Sequence, residues 1–210
     1  MNQQIKRNSR QIPSSSSIIK EKDYCDLLYA WIQCNSERTA PTSQDRRIPK
    51  KMLNWSAIER DFTRPVPGDK PEKVMSRKTI SKYYDHLKEK GLLKEQDDGY
   101  VYLTLLNPDE ANLIEYNTLS KLLNVLQKNS LSIYIYLFNR YYANGRQPYI
   151  ATIKQIKEFI GIATTTTSNN LIVSDTIDIL KRLKLLDYKL LQDEQKTYFE
   201  FQWVSNVLPE

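Results

Sequence analysis

The chain has 210 residues, 40% hydrophobic and 27% charged, the balance of a globular protein with room for one or two cores. No apolar run approaches the roughly 20 residues that span a bilayer, and the N-terminus lacks an export pattern. The two cysteines and single histidine suit reduced thiols better than a zinc site, so a cytoplasmic protein without membrane contact or cofactor is expected. The net charge is +6, and it is uneven: residues 1–107 carry 20 Lys/Arg against 14 Asp/Glu, residues 108–210 carry 11 against 11. A basic first half suits a polyanionic partner.

Residues 1–20 are polar, with a four-serine run and Lys6, Arg7, Arg10 and Lys20. They are expected to be a disordered tail, either solubilising or a basic arm. Tyr24, Leu27, Leu28, Trp31 and Ile32 form the stripe of a first helix over 22–35. A polar loop with Arg46, Arg47, Lys50 and Lys51 leads to a second helix over about 51–63, carrying Leu53, Trp55, Ile58 and Phe62. Residues 64–75 hold three prolines and a glycine, so a loop with Arg64, Lys70 and Lys73 is expected. Ser76 then reads as an N-cap and Gly91 as the stop of a third helix. Its inward stripe is Ile80, Tyr84 and Leu87, and Arg77, Lys78, Ser81 and Lys82 lie off it. Residues 92–106 read as a β-hairpin around Asp97-Asp98-Gly99.

A helix with a basic, polar first end followed directly by a hairpin resembles the winged helix-turn-helix superfamily. The resemblance implies a recognition helix in a DNA major groove, with Arg77, Lys78, Ser81 and Lys82 as its readers. Arg46, Arg47, Lys50, Lys51, Arg64, Lys70 and Lys73 are the candidates for phosphate contact.

A short connection, 108–117, precedes a helix with Leu119, Leu122, Leu123 and Leu126, a stripe that either joins two modules or pairs two chains. SLSIYIYLFNRYYA (130–143) is apolar on nearly every face and reads as a buried helix. Thr152 caps a helix carrying Ile153, Ile156, Phe159 and Ile160 that ends at Gly161. Residues 164–170 read as a polar turn, 170–186 as a long helix, and 187–203 as a hairpin around Gln192-Asp193-Glu194-Gln195. Its last strand is expected to turn Phe199, Phe201 and Trp203 inward.

Shifting the sequence by 93 superposes the two long helices. Ser81, Asp85, Leu87, Lys88, Leu92 and Leu93 match Ser174, Asp178, Leu180, Lys181, Leu185 and Leu186. One helix-to-hairpin plan therefore occurs twice. The fold expected is mainly α with small β-hairpins (α+β), as two tandem winged-helix domains: 21–107 and 118–210, with 1–20 a tail and 108–117 a linker. The copies differ at the helix face: Arg77, Lys78, Ser81 and Lys82 become Asn170, Leu171, Ser174 and Asp175. The second copy reads DNA through Thr165, Thr166, Thr167, Ser168, Asn169, Asn170 and Ser174, or docks a protein. Acidic hairpin tips argue against wings that grip phosphate.

The second module, with KLLNVLQKNSLSIYIYLFNRYY before a Thr-Ile-x-x-Ile helix, resembles winged-helix modules of plasmid and phage replication initiators and replisome organisers from low-GC Gram-positive bacteria. The resemblance implies a non-catalytic, sequence-specific double-stranded DNA-binding protein in replication or transcription regulation, recruiting other proteins of either process. The alternative is a protein-docking module: a helicase-loading adaptor, or an inhibitor of a nucleic-acid enzyme. There is no phosphate-binding G-x-x-x-x-G-K-[ST] loop, and His86 sits late on a helix, away from any catalytic constellation.

Overall fold

The computed structural model describes residues 9–13, 26–41, 43–64, 69–107, 111–126, 130–192 and 197–207. Among these the chain is mixed α/β, with seven α-helices and small antiparallel sheets. Strand β1 (Ser9–Pro13) pairs antiparallel with β8 (Ala111–Glu115), Ser9 opposite Glu115. Two expectations change here. The tail expected over 1–20 is ordered at 9–13, and the connection 108–117 contains a strand. Ile12 and Ile114, both fully enclosed, give the pairing its apolar anchor. Residues 1–8 and 14–20, with Lys6, Arg7 and Lys20, lie outside the described residues, as do Tyr24 and Cys25 at the start of the first predicted helix.

Helix α1 (Asp26–Asn35) buries Leu27, Leu28 and Ile32. Strands β2 (Glu37–Arg38) and β3 (Arg46–Pro49) follow, then a 3-10 turn, Lys50–Met52. The second helix is shorter than expected: α2 (Trp55–Asp61) starts only after Asn54, whose side chain accepts from the Ser56 and Ala57 N–H groups. That cap halts the helix on its N-terminal side. The loop beyond holds a minimal ladder, β4 (Thr63–Arg64) on β5 (Glu72–Lys73); residues 65–68 lie outside the described residues. Helix α3 (Arg77–Glu89) starts at the Ser76 cap, whose hydroxyl accepts from the Thr79 N–H, and turns Ile80, Tyr83, Tyr84 and Leu87 inward. It stops before Gly91, whose φ of +70° lies in the region glycine adopts without strain. The hairpin β6 (Leu93–Glu95) and β7 (Tyr100–Leu103) closes a sheet ordered β2-β3-β7-β6.

The same order recurs. Helix α4 (Tyr116–Val125) leads to α5 (Ser130–Ala143), β9 (Tyr149–Ala151), α6 (Ile153–Phe159), α7 (Thr167–Arg182), β10 (Leu186–Gln192) and β11 (Thr197–Val204). The sheet β10-β11-β9 repeats β6-β7-β3. Thr152 and Gln155 form a full capping box at α6. Helix ends match as well: Leu92 N–H donates to Leu87 O, and Leu185 N–H to Leu180 O. Lys184 takes the positive φ of Gly91, at +54°.

Two readings in this half are corrected. Thr167 to Asn170 form the first turn of α7 and not a free turn. Trp203 points outward, 38% exposed. The register runs Asp187 to Trp203, then Tyr188 to Phe201, so Gln202 is an extra residue. That bulge reverses the alternation beyond it and turns Val204 inward instead. The hairpin tip, residues 193–196, lies outside the described residues.

Both halves share one continuous apolar cluster. Leu119, Leu122, Leu123 and Leu126 are buried within it, so the leucine stripe is consumed inside the chain and joins the two halves. Arg64 fastens the join by donating to the carbonyls of Leu123, Val125 and Leu126 at the end of α4. Its cation meets the negative end of the helix dipole.

Candidate nucleic-acid interface

Helix α3 carries its basic face outward. Arg77, Lys78 and Lys82 are exposed and Ser81 is half-exposed. Two elements fix the orientation of this face. From α2, Trp55 packs its ring 5.1 Å from that of Tyr84. From β6, Glu95 accepts from the Tyr84 hydroxyl at 3.0 Å and from Lys88 at 2.7 Å. These contacts, that from Lys88 first, hold the Glu95 carboxyl below its ordinary range.

The first turn of α3 has its own anion. Glu59 on α2 accepts from the Arg77 backbone N–H at 3.3 Å and from the Arg77 guanidinium at 3.1 Å, with Lys73 at 3.4 Å. Cations at a helix N-terminus oppose the dipole, and Glu59 offsets that cost within the fold. Sequence reasoning missed Glu59; its signal was a carboxylate, one of two with Asp61, on the helix preceding a basic one. Arg77 keeps 64% of its side chain exposed. Lys78, Ser81 and Lys82 form the remainder of the face.

The seven predicted phosphate contacts separate into three groups. Arg46 is turned inward: its guanidinium donates to the Ser36 hydroxyl and carbonyl, both at 2.7 Å. Arg64 is spent on α4. Both guanidiniums are thus engaged by the fold's own backbone carbonyls. Arg47 pairs with Glu37 at 3.0 Å and lies 4.0 Å over the Tyr100 ring, while Lys50 reaches Gln96 O and Glu95. With Lys73 these are surface pairs, which contribute little and exchange readily for phosphate. Lys51 and Lys70 are exposed. The hairpin tip is self-contained, since the Tyr102 hydroxyl donates to Asp98 at 2.6 Å and holds its carboxyl below the usual range.

In the second half Thr165, Thr166, Thr167 and Ser168 are exposed. The other three predicted contacts are engaged internally. Asn169 donates to Ala163 O, Asn170 accepts from Lys157 at 2.7 Å, and the Ser174 hydroxyl returns to carbonyls of its own helix. Lys157, 1% exposed, also donates to Thr164 O at 2.6 Å and Thr166 O at 3.2 Å. It pins the threonine-rich loop to α6. The signal was legible: Lys157 occupies the i+4 place in the stripe Ile153, Ile156, Ile160, where an apolar residue belongs. Lys154 and Lys157 with Thr164, Thr165 and Asn170 line a shallow open depression.

Among the described residues no group of three His, Cys, Asp or Glu side chains could hold a metal ion, and no helix is long and apolar enough to cross a membrane. Burial pushes the Cys34 thiol up to about 11, which leaves it a weak nucleophile. No known family, curated protein or solved structure matches the chain.

Proposed function

We propose that the chain is a non-catalytic, sequence-specific double-stranded DNA-binding protein made of two winged-helix units, acting as a replication initiator or transcriptional regulator in the cytoplasm. The units are 21–107 and 118–210, with α3 as the principal reader. One observation carries the reading: Lys78, Ser81 and Lys82 form an outward polar face on a helix whose other side is locked by Trp55, Glu59 and Glu95. A rigid helix presenting lysines and a hydroxyl suits base edges in a major groove. The order helix, strand, helix, helix, hairpin, repeated with the same sheet order, supports the winged-helix reading. Lys51, Lys70 and the exchangeable Arg47, Lys50 and Lys73 then position the phosphates.

Lys82→Ala tests it. On a selected duplex, electrophoretic shifts should show a loss of about 1–3 kcal/mol in binding if Lys82 contacts a base. Unchanged affinity would sink the assignment of α3.

A second reading, that the second unit docks a replication or transcription protein, has its own support. Leu171 stands where the first unit has Lys78, and it is 60% exposed. The outer face of the second sheet also leaves Ile150, Leu191 and Trp203 exposed. If DNA affinity survives Leu171→Glu while partner capture is lost, the second unit is the docking one.

A further inference from the structure

Strand β10 (Leu186–Gln192) stands at the edge of its sheet, which is ordered β10-β11-β9. In the first unit β6 holds the same place in the order β2-β3-β7-β6, and the two edges differ. β6 has three residues, and its Glu95 is covered by Tyr84, Lys88 and Lys50. Shortness and charge are how an edge avoids pairing with another chain. β10 has seven residues, and the last four, Lys189 to Gln192, are all exposed. Two of the four are leucines, Leu190 at 55% and Leu191 at 38%. Successive residues of a strand point to opposite faces, so the exposed apolar surface lies on both sides of the edge. An antiparallel strand with one face in water ordinarily keeps that face polar.

The backbone points outward along the same stretch. Tyr188 donates its N–H to the Asp187 carboxylate at 2.9 Å, and its carbonyl accepts from the Lys181 ammonium at 3.3 Å. Both groups therefore turn away from β11, and alternation turns those of Leu190 and Gln192 the same way. Lys181 guards the edge at Tyr188. Beyond Tyr188 no further strand covers β10 among the described residues.

We propose that β10 pairs antiparallel with β10 of a second copy of this chain, Leu190 opposite Leu190 across a two-fold axis. Such a contact is isologous, and the side chains select its register. Centred on Leu190, it sets Lys189 against Leu191 of the second copy, where the lysine stem lies along the leucine, and Tyr188 against Gln192. Centred on Lys189, it would set two ammonium groups face to face, which is destabilising. Centred on Tyr188, it would displace Lys181 from the Tyr188 carbonyl. Pairing over Tyr188–Gln192 buries less than the roughly 800 Å² per partner of a standard interface, so the dimer is reversible and depends on concentration. It does not rest on α3 reading DNA.

Sedimentation equilibrium of the full chain tests it. The average mass should climb from 24.7 kDa toward twice that value between about 10 µM and 1 mM. Leu190→Lys should weaken the association at least about tenfold by opposing two charges, with the circular dichroism of the monomer unchanged. Leu171→Lys, on α7, should leave it intact. Under mild oxidation Leu190→Cys should give a covalent dimer joined through position 190, since directly opposed residues of a strand pair stand within disulfide reach; Leu171→Cys should not. The crosslink decides even if Leu190→Lys fails to fold. A chain that stays monomeric throughout, a dimer that survives Leu190→Lys or is lost with Leu171→Lys, or no crosslink through position 190 would overturn the proposal.

Discussion

Asp26 lies at the first turn of α1, 2% exposed, accepting from the Leu27 N–H at 2.8 Å and from the Ser132 hydroxyl of α5 at 2.5 Å. Burial raises its folded pKa, outweighing the two hydrogen bonds. The sign follows from linkage. A raised folded pKa contributes stability that is fully present below the ordinary value of about 3.9 and is lost as pH rises through the raised one. Asp26→Asn keeps an acceptor for Leu27 and offers a donor to Ser132, but never ionises. Urea denaturation should therefore show the variant gaining on the natural protein from about pH 4 upward. A difference independent of pH between 4 and 8 would contradict this. Composition reveals none of it, because Asp26 reads in sequence as an ordinary first-turn acid. Arg46 and Arg64 were misjudged for the same reason: a cation's partners are a matter of tertiary placement, and both found backbone carbonyls in place of solvent.

At the scale of elements, the local signals were legible. Ser76 and Thr152 cap, Gly91 stops, and the Asp97-Asp98-Gly99 turn falls between β6 and β7, because each depends on neighbours within four residues. Pairings over longer separations were not. β1 meets β8 across about a hundred residues, and neither segment alone has enough apolar alternation to announce a strand. The Gln202 bulge was likewise hidden, since alternation in sequence continues smoothly through it. Lys157 is the element-scale prediction. Its ammonium bonds two loop carbonyls and the Asn170 amide between α6 and α7. Lys157→Met should cost on the order of 2–3 kcal/mol, and amide exchange in residues 161–166 should quicken. An unchanged loop with unchanged stability would remove Lys157 as its anchor.

The whole molecule reads as two copies of one plan that no longer stand apart. Leu119 to Leu126, the β1–β8 ribbon, Asp26–Ser132 and Arg64 bind the halves into one apolar cluster. A single cooperative unfolding transition is expected, coincident by tryptophan fluorescence and far-UV circular dichroism. Arg64→Ala should lower its stability on the order of 2 kcal/mol, because three carbonyls at the end of α4 lose their charged donor. Two separated transitions in the natural protein would contradict the shared core. The charge is distributed otherwise. Its excess lies wholly in residues 1–107, on the half that carries α3, while the neutral half carries Leu171. That asymmetry, visible in the sequence, is why one unit is assigned to DNA and the other is offered for a partner.

Selection of bound sequences from random duplex DNA, repeated across a salt series, tests the central claim most directly. Recovery of one motif, with log affinity falling against log salt at a slope of about −4 to −5 for roughly five phosphate contacts, is the result predicted. No enrichment, with a shallow slope, would contradict a sequence-specific reader and leave α3 a solvated basic face.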